Sequence, residues 1–215
     1  YNINDNNRLE FYAAGAPQRH GQNSYMQNMA AYNHEYAQEN SGVPDSELDD
    51  YFSAFPESQA GMYYNENWNT VDPNYNGKQW WNGDIHDRYS PTFINERENY
   101  YHKPQINLNW FSKLNEKLDL YSIIYYSGGK GGGTGTYGSM KWDYSGPSRV
   151  VDWNATIARN DTLSTGSSGI LRNSVNQQWT IGAISKAYYQ INENIKSSIG
   201  IDLRTAEIDH FREVR

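Results

Sequence analysis

Strict alternation of apolar and polar residues is the feature that most constrains how this chain can fold. Between Gln105 and Trp110, every second residue is apolar and the residues between them are amides. The stretches 178–190 and 195–204 largely repeat this pattern. A period of two is that of a β-strand with one apolar face and one polar face. The pattern therefore predicts an all-β chain.

The predicted strands are joined by connectors of very unequal length. Short polar turns at 112–117 and 192–194 join neighbouring strands, whereas the connectors 21–100 and 128–177 are long. Long connectors are uncommon in compact soluble domains. In outer-membrane β-barrels, by contrast, short turns face the periplasm and long loops face outward. The asymmetry therefore favours a barrel.

We accordingly predict a segment of an antiparallel transmembrane β-barrel, about five strands of a larger barrel with long extracellular loops. A tilted strand needs about 9–11 residues to cross a bilayer. Residues 1–215 are expected to form part of a single barrel domain. The expected strands are 8–16, 101–111, 118–127, 178–190 and 195–211, and the expected outer loops are 21–100 and 128–177.

The composition fits a chain whose apolar residues occupy one face only. Just 37% of residues are hydrophobic and the mean hydropathy is −0.92, yet 15% are aromatic, including 19 Tyr and 7 Trp. Disordered chains are poor in aromatic residues, so we do not expect disorder. Amphipathic rings are typical of membrane interfaces and of binding surfaces.

The alternation also predicts which side chains face lipid and which face the barrel lumen. Residues expected to face lipid are Ile106, Leu108, Trp110, Ile181, Ile199, Ile201 and Leu203. Residues expected to face the lumen are Gln105, Asn107, Asp202 and Arg204.

Several classes of function are not expected. The net charge of −7 argues against a nucleic-acid partner held by phosphate contacts. The chain has no Cys, and its five histidines lack metal-ligand spacing, so we expect neither a metal nor a cofactor. Residues 133–138 match a dinucleotide-binding pattern, but no helical periodicity follows them. No catalytic constellation emerges, and we do not expect an enzyme.

Tryptophans in the long connectors are the candidate ligand-binding residues. Flat rings flanked by amides suit sugars or other amphipathic ligands, although the same rings can pack loops against one another. The candidates are Trp68, Trp80, Trp81, Trp142 and Trp153. An alternative hypothesis is a secreted carbohydrate-binding β-sandwich, in which such rings form a sugar platform without any membrane.

Two segments carry a resemblance to a known family. The segment 9–22, with Gly15-Ala16-Pro17-Gln18 before His20, resembles a strand of TonB-dependent receptors that enters a long surface loop. The segments 199–204 and 210–215 are similar to a later barrel strand of the same receptors, particularly those of Bacteroidetes-like bacteria. The resemblance spans most of the chain and rests on barrel features rather than on catalytic residues.

The resemblance implies an outer-membrane location and a role in nutrient uptake, with an oligosaccharide or a siderophore-like compound as the transported ligand. It implies a barrel of about 22 strands with an N-terminal plug. The implied partners are outer-membrane lipid, the TonB complex, a small-molecule or glycan ligand, and a surface lipoprotein. No plug or TonB box is recognisable here. Because the chain begins at Tyr1 and ends inside a predicted strand, we expect it to be a piece of a longer protein.

Overall fold

A computed structural model describes residues 1–23, 29–54, 61, 63–81, 83–145 and 149–215. The gaps fall within the predicted connectors 21–100 and 128–177, and those parts of the connectors lie outside the described residues. The described part of the chain is mostly antiparallel β-sheet, with 57% of residues in strands and three short α-helices. The prediction of an all-β, antiparallel fold is confirmed.

The described elements alternate between short strands, helices and a few very long strands. In chain order they are β1 Asn2–Asn4, β2 Asn7–Ala14, β3 Gln18–Gly21, a 3-10 helix Met29–Ala31, α1 His34–Asn40, α2 Asp45–Ala54, β4 Trp68–Thr70, β5 Gln79–Trp81, β6 Asp84–His86, β7 Phe93–Asn95, β8 Glu98–His102, β9 Gln105–Asn115, β10 Leu118–Gly138, β11 Trp142–Asp143, β12 Val150–Val151, α3 Trp153–Asp161, β13 Gly169–Asn192 and β14 Ile195–Val214.

The internal contacts divide the chain into two compact units. The first unit comprises 1–19, 99–133 and 174–212, and the second comprises 20–98, 134–173 and 213–215.

The first unit is built on one antiparallel sheet. Its strand order is β1-β2-β9-β10-β13-β14. The register of β2 on β9 places Phe11 opposite Leu108, and the register of β10 on β9 places Ile124 opposite the same Leu108. Every predicted strand therefore corresponds to a strand of this sheet, although the boundaries differ.

Strand β10 is longer than its glycine-rich sequence predicts. The expected strand ended at residue 127, but β10 continues through the glycine tract to Gly138. A Cβ on Gly132 would lie 2.5 Å from the carbonyl oxygen of Ser174, and one on Gly131 would lie 2.8 Å from that of Tyr100. Glycine is usually depleted in strands, and here it allows neighbouring backbones to approach closely. The expected loop 128–177 is correspondingly too long, since β13 begins at residue 169.

A proline divides the expected strand 101–111 into two elements. Strand β8 ends at His102 and β9 starts at Gln105, with Lys103 and Pro104 between them. Proline has no N–H to donate to a ladder. The carbonyl oxygen of Pro104 still accepts from the amide of Gly128, at 2.9 Å. Strands β8 and β9 therefore pair with β10 in one continuous antiparallel register, with Lys130 opposite His102 and Ser127 opposite Gln105.

The two short turns are tighter than expected. Strands β9 and β10 are separated by two residues, and the amide of Lys117 donates to Asn115 Oδ1 at 2.9 Å. Strands β13 and β14 are also separated by two residues, and the amide of Asn194 donates to Asn192 Oδ1 at 3.0 Å. Asn side chains favour such local bonds in turns. Two-residue turns fix the register of both hairpins.

The second unit has its own small core. Its strands pair into two-stranded antiparallel ribbons. The ribbons β4–β7 and β5–β6 are three residues long, and the ribbon β11–β12 is two residues long. Helix α3 begins after Asp152, whose side chain accepts from the amide of Ala155 at 2.8 Å, an N-cap that satisfies an otherwise unpaired donor. The core residues are Val71, Ile94, Met140, Val151, Trp153 and Leu171. The expected loops thus contain structure that alternation does not encode.

In the described part of the chain, no helix is both long enough and apolar enough to cross a membrane.

Candidate functional site

The sheet of the first unit has two chemically different faces. Antiparallel partners point to the same side of a sheet, so the pairs Phe11–Leu108 and Leu108–Ile124 share one face. The pairs Tyr12–Asn107 and Asn107–Tyr125 share the other face. We call these the apolar face and the polar face.

Side-chain contacts extend both faces onto β13 and β14. The hydroxyls of Ser122 and Ser185 lie 2.9 Å apart, which places alternate residues of β13, including Ile181, on the apolar face. Trp179 Nε1 donates to Glu207 Oε2 at 2.8 Å, which places the odd-numbered residues of β14 on the same face. The apolar face therefore includes Ile106, Leu108, Trp110, Ile181, Ile199, Ile201 and Leu203, and the polar face includes Gln105, Asn107, Asp202 and Arg204.

The alternation thus sorts all eleven of these residues between the two faces, while their contact with lipid or with a lumen stays a prediction. The apolar face is exposed: Ile199 is 77% accessible, Leu203 62% and Ile201 58%. On β9 the pattern of a soluble sheet is inverted, because Leu108 is exposed whereas Asn107 and Asn109 are half-buried. In a soluble protein, an apolar sheet face is covered by another layer.

A row of rings and cations crosses the polar face near the hairpin turns. The guanidinium of Arg8 lies 4.5 Å from the ring centre of Phe111, which meets Tyr121 edge-on at 4.1 Å. Tyr121 meets Tyr188 edge-on at 6.5 Å. The ammonium groups of Lys186 and Lys196 lie 4.9 and 5.1 Å from the centre of the Tyr188 ring. We call these six residues the aromatic–cation band; sequence alternation alone did not single them out.

The band borders a concavity of about 910 Å³. Its lining includes Arg8, Phe111, Tyr121, Tyr188 and Lys196 from the band, together with Lys113. Its acidic lining residues are Asp5 and Asp119. Small-molecule sites typically enclose about 300–1,000 Å³ and combine rings with a few polar groups. The concavity is open to solvent and combines rings with charged groups, which is a composition typical of ligand sites.

The five candidate tryptophans of the second unit have different environments. Trp153 is only 5% accessible, belongs to the core, and donates through Nε1 to the carbonyl oxygen of Ile94 at 3.2 Å. A buried indole with a satisfied N–H is a structural residue. Trp153 is therefore the least accessible of these candidates, and its contact with a ligand stays a prediction.

Trp142 and Trp81 each lie under a guanidinium. The Cζ of Arg149 is 4.0 Å from the Trp142 ring centre, and the Cζ of Arg215 is 4.9 Å from that of Trp81. Trp142 also packs against the core. Arg215 forms an ion pair with Glu98 at 3.0 Å. Both indoles are thus engaged by the protein itself.

Trp80 and Trp68 keep exposed ring surface. Trp80 is 41% accessible, and its Nε1 donates to Glu213 Oε2 at 3.3 Å. Trp68 is 40% accessible and meets Tyr89 edge-on at 6.0 Å. Trp68 and Tyr89 line a small cleft with Gln79, Arg88, Phe93 and Asn95. Of the five candidates, Trp68 and Trp80 are the most available to a ligand.

A buried carboxyl group lies beneath the β4–β7 ribbon. Glu96 is 4% accessible, and its amide donates to the carbonyl oxygen of Asn67, which is fully buried. Burial raises the pKa of Glu96 above its ordinary value, an effect that Arg97 and Arg149 partly offset and that Glu66 reinforces. The Oε2 atom of Glu96 has no hydrogen-bond partner. A protonated Glu96 would be the less costly form in this environment.

We expect Glu96→Gln to stabilise the second unit at neutral pH. Because the folded-state pKa of Glu96 is raised, its favourable contribution is present below the ordinary pKa of about 4.5 and is lost as the pH rises through the folded-state pKa. Glutamine keeps the shape without the charge; relieving the desolvation of a buried group is worth about 1–3 kcal/mol, and the 3.9 Å ion pair of Glu96 with Arg97 places the expected gain at the lower end. Thermal denaturation of the two proteins between pH 4 and pH 8 would measure the difference.

The matched control for this prediction is Asp143→Asn. Asp143 is exposed, and hydrogen bonds from Ser145 hold the pKa of its carboxyl below the ordinary value. Its neutralisation should give no stabilisation at neutral pH. Equal pH dependence in wild type and Glu96→Gln would contradict the assignment of the buried charge.

Among the described residues, no group of three or more His, Cys, Asp or Glu side chains could hold a metal ion. Comparison with models of protein families, with curated proteins and with solved structures finds no match. The interpretation therefore depends on the faces of the sheet and on the contacts described above.

Proposed function

We propose that this chain is a wall segment of an outer-membrane, TonB-dependent receptor that takes up a nutrient. The proposal combines the resemblance of segments 9–22 and 199–215 with the two faces of the sheet. In this arrangement, lipid covers the apolar face and the polar face lines the lumen. The single observation that carries the proposal is the exposure of the apolar face.

Exposure of that face separates the proposal from the β-sandwich alternative. In a sandwich, the apolar faces of two sheets pack together about 10 Å apart and exclude water. In the first unit, Ile199, Ile201 and Leu203 are exposed instead. A bilayer would cover these side chains, and a large uncovered apolar patch on a soluble monomer is rare.

Strand length and turn length also favour a barrel wall. Strands β10, β13 and β14 contain 21, 24 and 20 residues. A tilted strand needs only about 9–11 residues to cross the hydrocarbon region. Strands of this length can cross the bilayer and extend beyond it, while two-residue turns close the hairpins on the opposite side.

The second unit carries the candidate nutrient-contacting rings in this proposal. Its exposed rings at Trp68 and Trp80 are suited to contact an amphipathic nutrient before uptake. The rings of the β-sandwich alternative would have the same chemistry, so they do not distinguish the two functions. Separation of the bacterial membranes, described next, distinguishes the two functions.

The test is to express the gene that carries this sequence, separate inner from outer membranes, and examine the product by gel electrophoresis with and without heating. A closed barrel is expected in the outer-membrane fraction, soluble only in detergent and with a mobility that changes on heating. Recovery as a soluble periplasmic or secreted protein would overturn the proposal and favour the sugar-binding module.

A further inference from the structure

The aromatic–cation band joins residues from five neighbouring strands. Arg8 is on β2, Phe111 on β9, Tyr121 on β10, Lys186 and Tyr188 on β13, and Lys196 on β14. Neighbouring strands are about 4.8 Å apart, so the band extends roughly 19 Å across the sheet. A surface of that length can contact a ligand at several points.

Cations are concentrated around this band although the chain as a whole is acidic. The chain carries 18 basic and 25 acidic residues. Within the described part of the chain, no carboxylate lies within 4.0 Å of Lys113, Lys186 or Lys196, although Asp119 stands opposite Lys113 in the register. Arg8, by contrast, is paired with Glu10 at 3.1 Å. The lining cations Arg8, Lys113 and Lys196 therefore outnumber the lining carboxylates Asp5 and Asp119, and Lys196 forms no ion pair among the described residues.

The ring contacts hold these cations in place. The faces of Phe111 and Tyr188 are each covered by a basic group, at 4.5 Å for Arg8 and at 4.9 and 5.1 Å for Lys186 and Lys196. A cation over a ring is attracted by the ring's quadrupole, which restricts where a flexible side chain can go. The concavity therefore presents positioned cations together with the edges of Phe111 and Tyr121.

We propose that this concavity binds a soluble organic anion with two or more acidic groups. This inference deepens the proposed function, on which it rests, by naming the class of solute that the lumen side of the wall receives. Acidic groups would meet Lys196, Lys113 and Arg8, which line the concavity, and the carbon skeleton would contact the rings of Phe111 and Tyr121. Rings of Lys and Arg select anions in other pores for the same electrostatic reason.

The position of the band on the sheet favours a soluble anion over a lipid headgroup. Tyr121 and Tyr188 are on the polar face, whereas Leu108 and Ile124 are on the apolar face. A bilayer that covers the apolar face cannot present its headgroups to side chains that point the opposite way. The occupant is therefore expected to arrive through water.

Titration calorimetry with citrate tests the inference on the full chain held in non-ionic detergent. Citrate carries three carboxylates at neutral pH, and glucose serves as a neutral probe of similar size. We expect saturable citrate binding that weakens as salt is raised, because the Debye length falls from about 10 Å at 0.1 M to about 3 Å at 1 M. Glucose is expected not to bind at this concavity.

The deciding variant is Lys113→Gln combined with Lys196→Gln, which removes both lysines that line the concavity and should weaken citrate binding about tenfold or more. The matched control is Lys103→Gln, because Lys103 also lies over a tyrosine ring, 5.4 Å from Tyr101, but does not line the concavity. The control should bind citrate as wild type does. Circular dichroism would establish that all three proteins keep their β-sheet content.

Unchanged citrate binding in the double variant, absence of citrate binding in wild type, or equal binding of glucose would each overturn the inference. These outcomes are separate from the membrane test, because binding in detergent does not require insertion. An outer-membrane protein that binds no citrate would lose only the anion site. A soluble protein that binds citrate through these lysines would keep the site and lose the transport function.

Discussion

Replacing Ile201 with arginine is expected to prevent the protein from assembling in the outer membrane. Ile201 is on the apolar face and is 58% accessible, so nothing else in the first unit covers it. If lipid covers this face, a cation near the bilayer midplane costs about 2–4 kcal/mol, while positions near the interfaces cost much less. The measurement is the fraction of expressed protein that shows a heat-dependent shift in gel mobility.

Asn107→Arg is the matched control for this prediction. Asn107 is in a strand of the same sheet, but its side chain is on the polar face opposite Tyr12 and Tyr125. The same arginine should be tolerated there, because a water-filled lumen solvates the charge. If both variants assembled, or if both failed to assemble, the assignment of the two faces to lipid and lumen would be contradicted.

Replacing Trp153 with alanine should destabilise the second unit by about 3–5 kcal/mol, the usual cost of removing a large ring from a core. The indole is 5% accessible, packs in the cluster with Ile94 and Leu171, and donates to the Ile94 carbonyl. Its loss leaves a cavity and removes one buried hydrogen bond to the Ile94 carbonyl. Hydrogen exchange of the α3 amides, which should become faster, would measure the effect.

Trp80→Ala controls for the chemistry of this substitution. It removes the same side chain, but Trp80 is 41% accessible and its principal described contact is one hydrogen bond to Glu213. We expect a change of about 1 kcal/mol or less, consistent with a single exposed hydrogen bond. If Trp80→Ala accelerated exchange in α3 as strongly as Trp153→Ala, the distinction between the core ring and the surface ring would fail.

The sequence by itself determined five strands of the first unit, β2, β9, β10, β13 and β14, and how their side chains alternate. Alternation is a local property with a period of two residues, so Gln105–Trp110 already specified an apolar and a polar edge before any partner strand was known. The all-β class and the division of Ile106 and Asn107 between two faces followed from that period alone. Both agree with the register of β9 on β2 and β10.

Local sequence was a poor guide where long-range contacts decide the conformation. The sequence around Gly131 and Gly132 predicts a flexible loop, yet both residues belong to β10. Glycine is needed there because the carbonyl oxygens of Tyr100 and Ser174 leave no room for a side chain. The sequence pattern also failed to predict the break at Pro104. The residues on both sides alternate as in a strand, but proline has no N–H and interrupts the strand between His102 and Gln105. The amino-acid composition of these segments predicted neither the extension of β10 nor the break at Pro104.

Only the tertiary structure decided the roles of the rings and charges. Trp153 and Trp80 are the same residue type in similarly polar sequence, but one enters a core and the other stays exposed, because burial depends on residues distant in the chain. The aromatic–cation band likewise joins Arg8 to Lys196 through three rings on intervening strands. Pairing between strands brings these residues together. The periodicity within a single strand does not specify which residues of other strands will lie beside it.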